Sequence, residues 1–149
     1  MKKNCIFLLC PKFYLSMVYY FVGLINYRKI SAINFFEKSL NYYSSPKHSY
    51  LCYKEIGIIN YYNDRFQKAK FYLDKAEALI NDKGDAELFT FLGLVYYADG
   101  NYLSAKKYLE KALDKYGNFE WIKKEFIFSH LKATEYYLKG EEREEGDAD

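Results

Sequence analysis

Residues 50 to 119 carry one pattern twice, displaced by 36 residues. A repeat of that length dictates the architecture, because each copy must be one supersecondary unit that buries its apolar face only by stacking on a neighbour. Gly57 and Tyr61 align with Gly93 and Tyr97, and the downstream positions follow without a gap: Ala69 with Ala105, Leu73 with Leu109, Ala76 with Ala112. Upstream, Tyr53 and Ile56 align with Phe89 and Leu92. A degenerate third copy stands at the front, where Tyr19, Val22 and Gly23 repeat the first half. Its second half fits once the turn is shortened by three residues, which places Ala32, Phe36 and Ser39 at the Ala, bulky and Ala positions.

Within each copy the apolar residues recur at offsets of three and four, the period of an amphipathic helix, first as in Phe89, Leu92, Gly93 and Tyr96, then as in Ala105, Leu109 and Ala112. Two such stripes in one unit predict an antiparallel helical hairpin. The small residues sit where the two backbones approach, and the large ones fill the space beside them. Only 2 Pro and 8 scattered Gly interrupt the chain, which opposes an all-β reading, while 18 Tyr and 12 Phe demand a large packed surface. Asn63-Asp64 and Asp99-Gly100-Asn101 supply the turns inside the hairpins, and Ser45-Pro46 and Asp85 are N-cap signals for the next ones.

These residues resemble the tetratricopeptide repeat, a helix-turn-helix unit of about 34 residues. The resemblance covers residues 16 to 119 and is strongest over 50 to 119. The last copy supplies the family's aromatic, Leu, Gly, Tyr, Ala, bulky and Ala positions as Phe89, Leu92, Gly93, Tyr96, Ala105, Leu109 and Ala112. Asn26 and Asn60 depart from it at the Tyr position, Ser39 at the final Ala, and no Pro follows the last repeat. The resemblance implies an all-α, right-handed superhelical array of about three helical hairpins with a C-terminal capping helix. The expected divisions are an N-terminal segment over 1–12 that is the stub of a preceding helix, hairpins over 13–43, 45–81 and 85–116, a capping helix over 118–139 and an acidic disordered tail over 140–149.

In that family a concave surface is lined from the first helix of each hairpin, at the positions three before, one after and four after the glycine. Here these are Tyr20, Leu24 and Tyr27, then Lys54, Ile58 and Tyr61, then Thr90, Leu94 and Tyr97. Two rows recur in every copy, an aliphatic one (Leu24, Ile58, Leu94) and a tyrosine one (Tyr27, Tyr61, Tyr97). Lying off the inter-helix face, they predict a groove for an apolar segment of another protein. Packing by the chain's own capping helix is the competing use of the same rows. Some relatives hold a C-terminal carboxylate with Lys and Asn, and Tyr20 with Leu24 at the corresponding first-copy positions argues against that mode.

The two ends differ. In the capping helix Ile122, Phe126, Ser129, Ala133 and Tyr136 form the expected inward stripe, with Lys123, Lys124, Lys132 and Glu135 facing out. At the front, Phe13 to Ile25 has almost no polar face and needs a cover: a partner protein, a second copy of the chain, a membrane or preceding repeats. Residues 1 to 49 carry seven Lys or Arg against the single acid Glu37, whereas 141 to 149 hold six acids and one Arg. A membrane span is not favoured, since Pro11 and Lys12 interrupt the longer apolar stretch and Phe13 to Ile25 falls short of the ~20 residues needed.

No catalytic constellation stands out: there is no Gly-rich phosphate loop, no HExxH and no Cys-x-x-Cys. His48 and Cys52 share a helix face, with Cys5 and Cys10 as remote candidates, but a metal site needs three or four convergent ligands, so they read as helix and core residues and no metal or cofactor is expected. Lysines that alternate with acids, as in Lys106, Lys107, Glu110, Lys111, Asp114 and Lys115, make a solvated stripe rather than a nucleic-acid surface. Three cysteines without a disulfide framework fit a reducing compartment. The expectation is a cytoplasmic adaptor or chaperone-like scaffold with no enzymatic activity, which binds a protein or peptide and contacts a second copy through its front end. The alternative is a membrane-associated scaffold attached by its apolar, basic N-terminal end.

Overall fold

The computed structural model describes residues 11–80, 84–117 and 122–146, the last six of these by backbone alone. All regular structure among them is helical: α1 (Pro11–Ile25), α2 (Ile30–Tyr42), α3 (Pro46–Tyr62), α4 (Phe66–Ile80), α5 (Ala86–Ala98), α6 (Tyr102–Asp114) and α7 (Lys124–Gly146). They fall into two compact units, Met1–Asn81 with α1 to α4 and Asp82–Asp149 with α5 to α7. Of the segment over 1–12 expected as a helix stub, residues 1–10 lie outside the described residues, while Pro11 and Lys12 belong to α1.

Helices pack in consecutive pairs, α1 on α2, α3 on α4 and α5 on α6. In the first pair Gly23 and Tyr20 meet Phe36, and Ser16 meets Ser39, so the helices run antiparallel. The crossings in the second and third pairs are copies of each other. A Cβ added to Gly57 would lie 2.6 Å from Leu73 Cγ and 3.3 Å from the Ala69 carbonyl oxygen, and one added to Gly93 would lie 2.7 Å from Leu109 Cγ and 3.3 Å from the Ala105 carbonyl oxygen. Ala69, Leu73 and Ala76, like Ala105, Leu109 and Ala112, are fully buried. In the degenerate pair Phe36 takes the place of the leucine, its ring 2.8 Å from where a Gly23 Cβ would be, and Ala32, Phe36 and Ser39 are fully buried.

The turns repeat as closely. After α3, the Arg65 N–H donates to the Asn60 carbonyl (2.9 Å) and the Asp64 N–H to the Tyr61 carbonyl (3.0 Å), with Asp64 at φ 57°. After α5, the Asn101 N–H donates to the Tyr96 carbonyl (3.0 Å) and the Gly100 N–H to the Tyr97 carbonyl (3.1 Å), with Gly100 at φ 75°. Both are Schellman motifs, which satisfy helix-end carbonyls through one left-handed residue. Caps open the next helices: Ser45 Oγ accepts from the His48 N–H, Asp85 Oδ1 from the Leu88 N–H and Asn101 Oδ1 from the Ser104 N–H.

A third recurring feature joins the two helices of each hairpin on their outer side. Lys75 Nζ lies 5.4 Å from the Tyr53 ring and 5.9 Å from Tyr72, and Lys111 Nζ lies 5.3 Å from Phe89 and 5.7 Å from Tyr108. The front pair keeps half of this arrangement, with Lys38 Nζ 5.7 Å from the Tyr19 ring. A cation held over ring faces contributes about 0.5–1 kcal/mol at an exposed site.

α7 packs mainly on α6 and departs from its expected form in four ways. It starts at Lys124, because the Tyr116 hydroxyl donates to the Ile122 carbonyl (2.8 Å) and fixes that residue outside the helix. Ile122, the first residue of the expected inward stripe, is buried ahead of the helix; among the described side chains of α7 the buried ones are Ile127 and Thr134, while Phe126, Ser129 and Tyr136 are exposed, so there the stripe is rotated by one residue. Glu135, expected to face outward, pairs with Lys106 of α6 at 3.2 Å. The helix also continues to Gly146, into the segment expected as a disordered tail. Residues 141 to 145 are Glu and Arg, good helix formers without a proline to stop them. No helix among the described residues is long and apolar enough to cross a membrane.

Candidate functional site

In the first unit the rows of expected groove residues separate by depth. Ile58 is fully buried and Lys54 nearly so, its Nζ 5.6 Å from the Tyr50 ring. Tyr20 and Leu24 are partly buried against the core of Ala32, Phe36, Cys52, Ile56 and Ile59, and Tyr20 also meets the His48 ring at 5.8 Å. In the second unit Thr90 and Leu94 are buried, and the Thr90 hydroxyl donates to the Ala86 carbonyl (2.7 Å). This corrects the expectation that positions off the inter-helix face line an open surface. α3 and α5 bury residues around almost their whole circumference, so the position after the glycine is as inaccessible as the glycine itself.

The tyrosine row behaves otherwise: Tyr27, Tyr61 and Tyr97 all stay partly exposed. Tyr61 and Tyr97 give their carbonyls to the two Schellman turns, which places both rings at the turn end of their hairpins. In the first unit the rings join into a patch. The Arg28 guanidinium lies 4.4 Å from the Tyr62 ring and 5.8 Å from Tyr27; Tyr61 meets Tyr62 at 5.8 Å and Phe66 at 5.7 Å. Asn63 Nδ2 locks the two turns together by donating to the Arg28 carbonyl (3.2 Å) as well as to Ile59 (2.7 Å). Burial, with the neighbouring Tyr62 and Asp64, raises the Tyr61 phenol above its ordinary range.

In the second unit Tyr97 has a different environment, since Tyr137 and His130 of α7 approach its ring at 6.0 and 6.3 Å and Tyr102 at 5.6 Å. Tyr102 and Tyr137 stack 4.9 Å apart. Here the capping helix uses the tyrosine, which is the competing role anticipated for this row. Burial, Tyr137 and Tyr102 together raise the Tyr97 phenol.

One polar cluster left little trace in the sequence. Ser16, Ser39, His48 and Cys52 are all buried, from α1, α2 and α3. Ser39 donates its single hydroxyl proton to the Ser16 carbonyl (2.8 Å), so towards His48 Nε2, 2.8 Å away, its oxygen accepts. Nε2 therefore carries the proton, also within 3.0 Å of Ser16 Oγ, and burial lowers the His48 pKa, which keeps the ring neutral. Cys52 Sγ lies 3.6 Å from the same nitrogen. Burial, aided by the Glu55 carboxylate, pushes the Cys52 thiol up to about 12. The thiolate is the nucleophile and the metal ligand, and such a thiol stays protonated at neutral pH. The cluster thus ties three helices in register. Its sequence signals are the His48–Cys52 pair on one helix face and Ser39, a hydroxyl at a position where the later copies have Ala76 and Ala112. Among the described residues no three His, Cys, Asp or Glu side chains converge as a metal site.

Neither the family models nor the curated proteins compared with this chain match it.

Proposed function

We propose that this chain is a protein-interaction module of the tetratricopeptide type, an adaptor or chaperone-like scaffold in a reducing, cytoplasmic setting. It binds an apolar peptide or helix of another protein and carries out no reaction. The observation that supports this most is the patch of Tyr27, Arg28, Tyr61, Tyr62 and Phe66 at the turn end of the first two hairpins. Tyrosine and arginine dominate the residues whose truncation weakens protein interfaces, since they offer large rigid faces and polar tips. The Asn63 bridge holds the patch in place before a ligand arrives, which lowers the ordering cost of binding. The reading moves the ligand away from the buried Lys54, Ile58, Thr90 and Leu94 and onto the tyrosine row.

The test is affinity capture followed by binding of the purified captured protein to wild type and to a Tyr27→Ala, Tyr61→Ala double variant. A loss of affinity of about tenfold or more, with the helical circular dichroism of wild type retained at the binding temperature, is expected. Equal affinity in a folded double variant refutes the patch as the binding site.

A further inference from the structure

We propose that α1 forms one half of a two-helix seam with α1 of a second copy of this chain. The exposed large apolar side chains of α1 are Tyr14 (71% exposed), Val18 (38%), Phe21 (54%) and Ile25 (83%). Their steps of four, three and four place all of them at the a and d positions of a heptad pattern. The other side of the helix is already used: Ser16 is hydrogen-bonded to Ser39, and Gly23 lies under Phe36.

Leu15, Met17 and Val22 flank these four and are partly exposed, so the stripe is the most open part of a broader apolar face. The second helix is a copy of the same one for two reasons. Between Lys12 and Arg28 the chain has no charged residue, so the stripe offers no charge pattern that selects a foreign partner, and a matching stripe with the same steps fits it across a two-fold axis. The area also agrees. The four side chains at these exposures leave roughly 450 Å² of apolar surface per copy, so a symmetric pair buries roughly 900 Å² before flanking residues are added, close to the ~1,000 Å² at which specific interfaces begin. A surface of that size gives a reversible, concentration-dependent dimer.

Sedimentation or light scattering over a dilution series of the full chain tests this. Wild type is expected to reach twice the monomer mass at high concentration. Phe21→Lys and Phe21→Glu, each placing a charge in the middle of the seam, are expected to weaken association by about tenfold or more. An equimolar mixture of the two is expected to restore it, since the long side chains reach each other across the seam in either helix direction. Phe21 is more than half exposed, so both variants keep the helical circular dichroism of wild type; if one does not, Val18→Glu replaces it. A wild type that stays monomeric throughout, or Phe21 variants that dimerise like wild type, overturns the proposal. So does a lipid-free monomer that floats with phosphatidylserine-containing vesicles, which makes a membrane the occupant of the stripe.

Discussion

Glycine meets opposite demands at two kinds of position in this chain, and single substitutions separate them. Gly100 takes φ 75° in the turn between α5 and α6, and nothing lies within 4 Å of where its Cβ would be. Gly100→Ala therefore measures backbone strain alone and is expected to cost about 1 kcal/mol. The equivalent turn residue is Asp64, at φ 57°, so Asp64→Gly is expected to stabilise the chain by about 0.5–1 kcal/mol. Urea unfolding midpoints of the two variants should move in opposite directions, and a common direction would mean that the Asp64 side chain matters more than its backbone. At Gly57 and Gly93 the backbone is ordinary helix, where Ala is intrinsically favoured by up to about 1 kcal/mol. The close Leu73 and Leu109 side chains and the Ala69 and Ala105 carbonyls reverse that preference. Gly57→Ala and Gly93→Ala are each expected to destabilise by about 1–3 kcal/mol and by similar amounts, since the two crossings have the same geometry. Steric positions of this kind were legible in the sequence because they restrict residue size and recur with the repeat. The contacts of Ser16 with His48 were not, because they join single polar residues on three helices and follow no period.

The hairpin is the element that recurs, and its lysine bridges set a test of how closely. Lys75→Ala removes a cation from three ring faces, Phe71 nearest at 4.3 Å, and Lys111→Ala from two; each is expected to cost about 0.5–1 kcal/mol, whereas Lys75→Arg and Lys111→Arg retain most of the stability. Thermal denaturation of the four variants checks this; an Ala variant as stable as wild type would show the lysine to be a bystander. These bridges were hidden in the sequence, where Lys111 belongs to a run of lysines alternating with acids that reads only as a solvated stripe. The phase of α7 was harder to read for another reason. Successive helical residues point about 100° apart, and Phe126, Ile127 and Phe128 are all large and apolar, so periodicity alone did not fix which of them turns inward. Contacts with α6 fix it: Glu135 meets Lys106, and Tyr137 stacks on Tyr102. The candidate groove was legible in part. Its repeating rows were visible but their depth was not, since the aliphatic Ile58 and Leu94 are buried while Tyr27, Tyr61 and Tyr97 stay partly open.

Stability of the whole chain is expected to fall on both sides of a neutral plateau, for reasons that reside in the polar cluster and the tyrosine row. Burial lowers the His48 pKa from its ordinary 6.5, so below that value the unfolded chain binds a proton that the folded chain refuses. The stability associated with His48 is thus complete above pH 6.5 and is lost as the pH falls towards its folded pKa. Asp74, whose carboxyl burial raises it above its ordinary 3.8, acts in the opposite sense, with the folded chain taking up its proton first, and does so at lower pH. On the alkaline side Cys52 is raised from 9.0 to about 12, so between those values the unfolded chain releases a proton that the folded chain keeps, and stability falls as pH rises. Tyr61 and Tyr97, both raised above 10.0, add to the same limb. Melting temperatures measured from about pH 5 to about pH 11 should show the plateau. Cys52→Ala should make the alkaline limb shallower without altering the acid one. His48→Gln should flatten the acid limb near pH 6 even though it lowers stability everywhere by leaving Ser16 and Ser39 with a poorer partner. If His48→Gln leaves the slope near pH 6 unchanged, the imidazole titrates alike in the folded and unfolded chain, and the closed Ser16–Ser39–His48 network cannot exist in solution as the distances describe it.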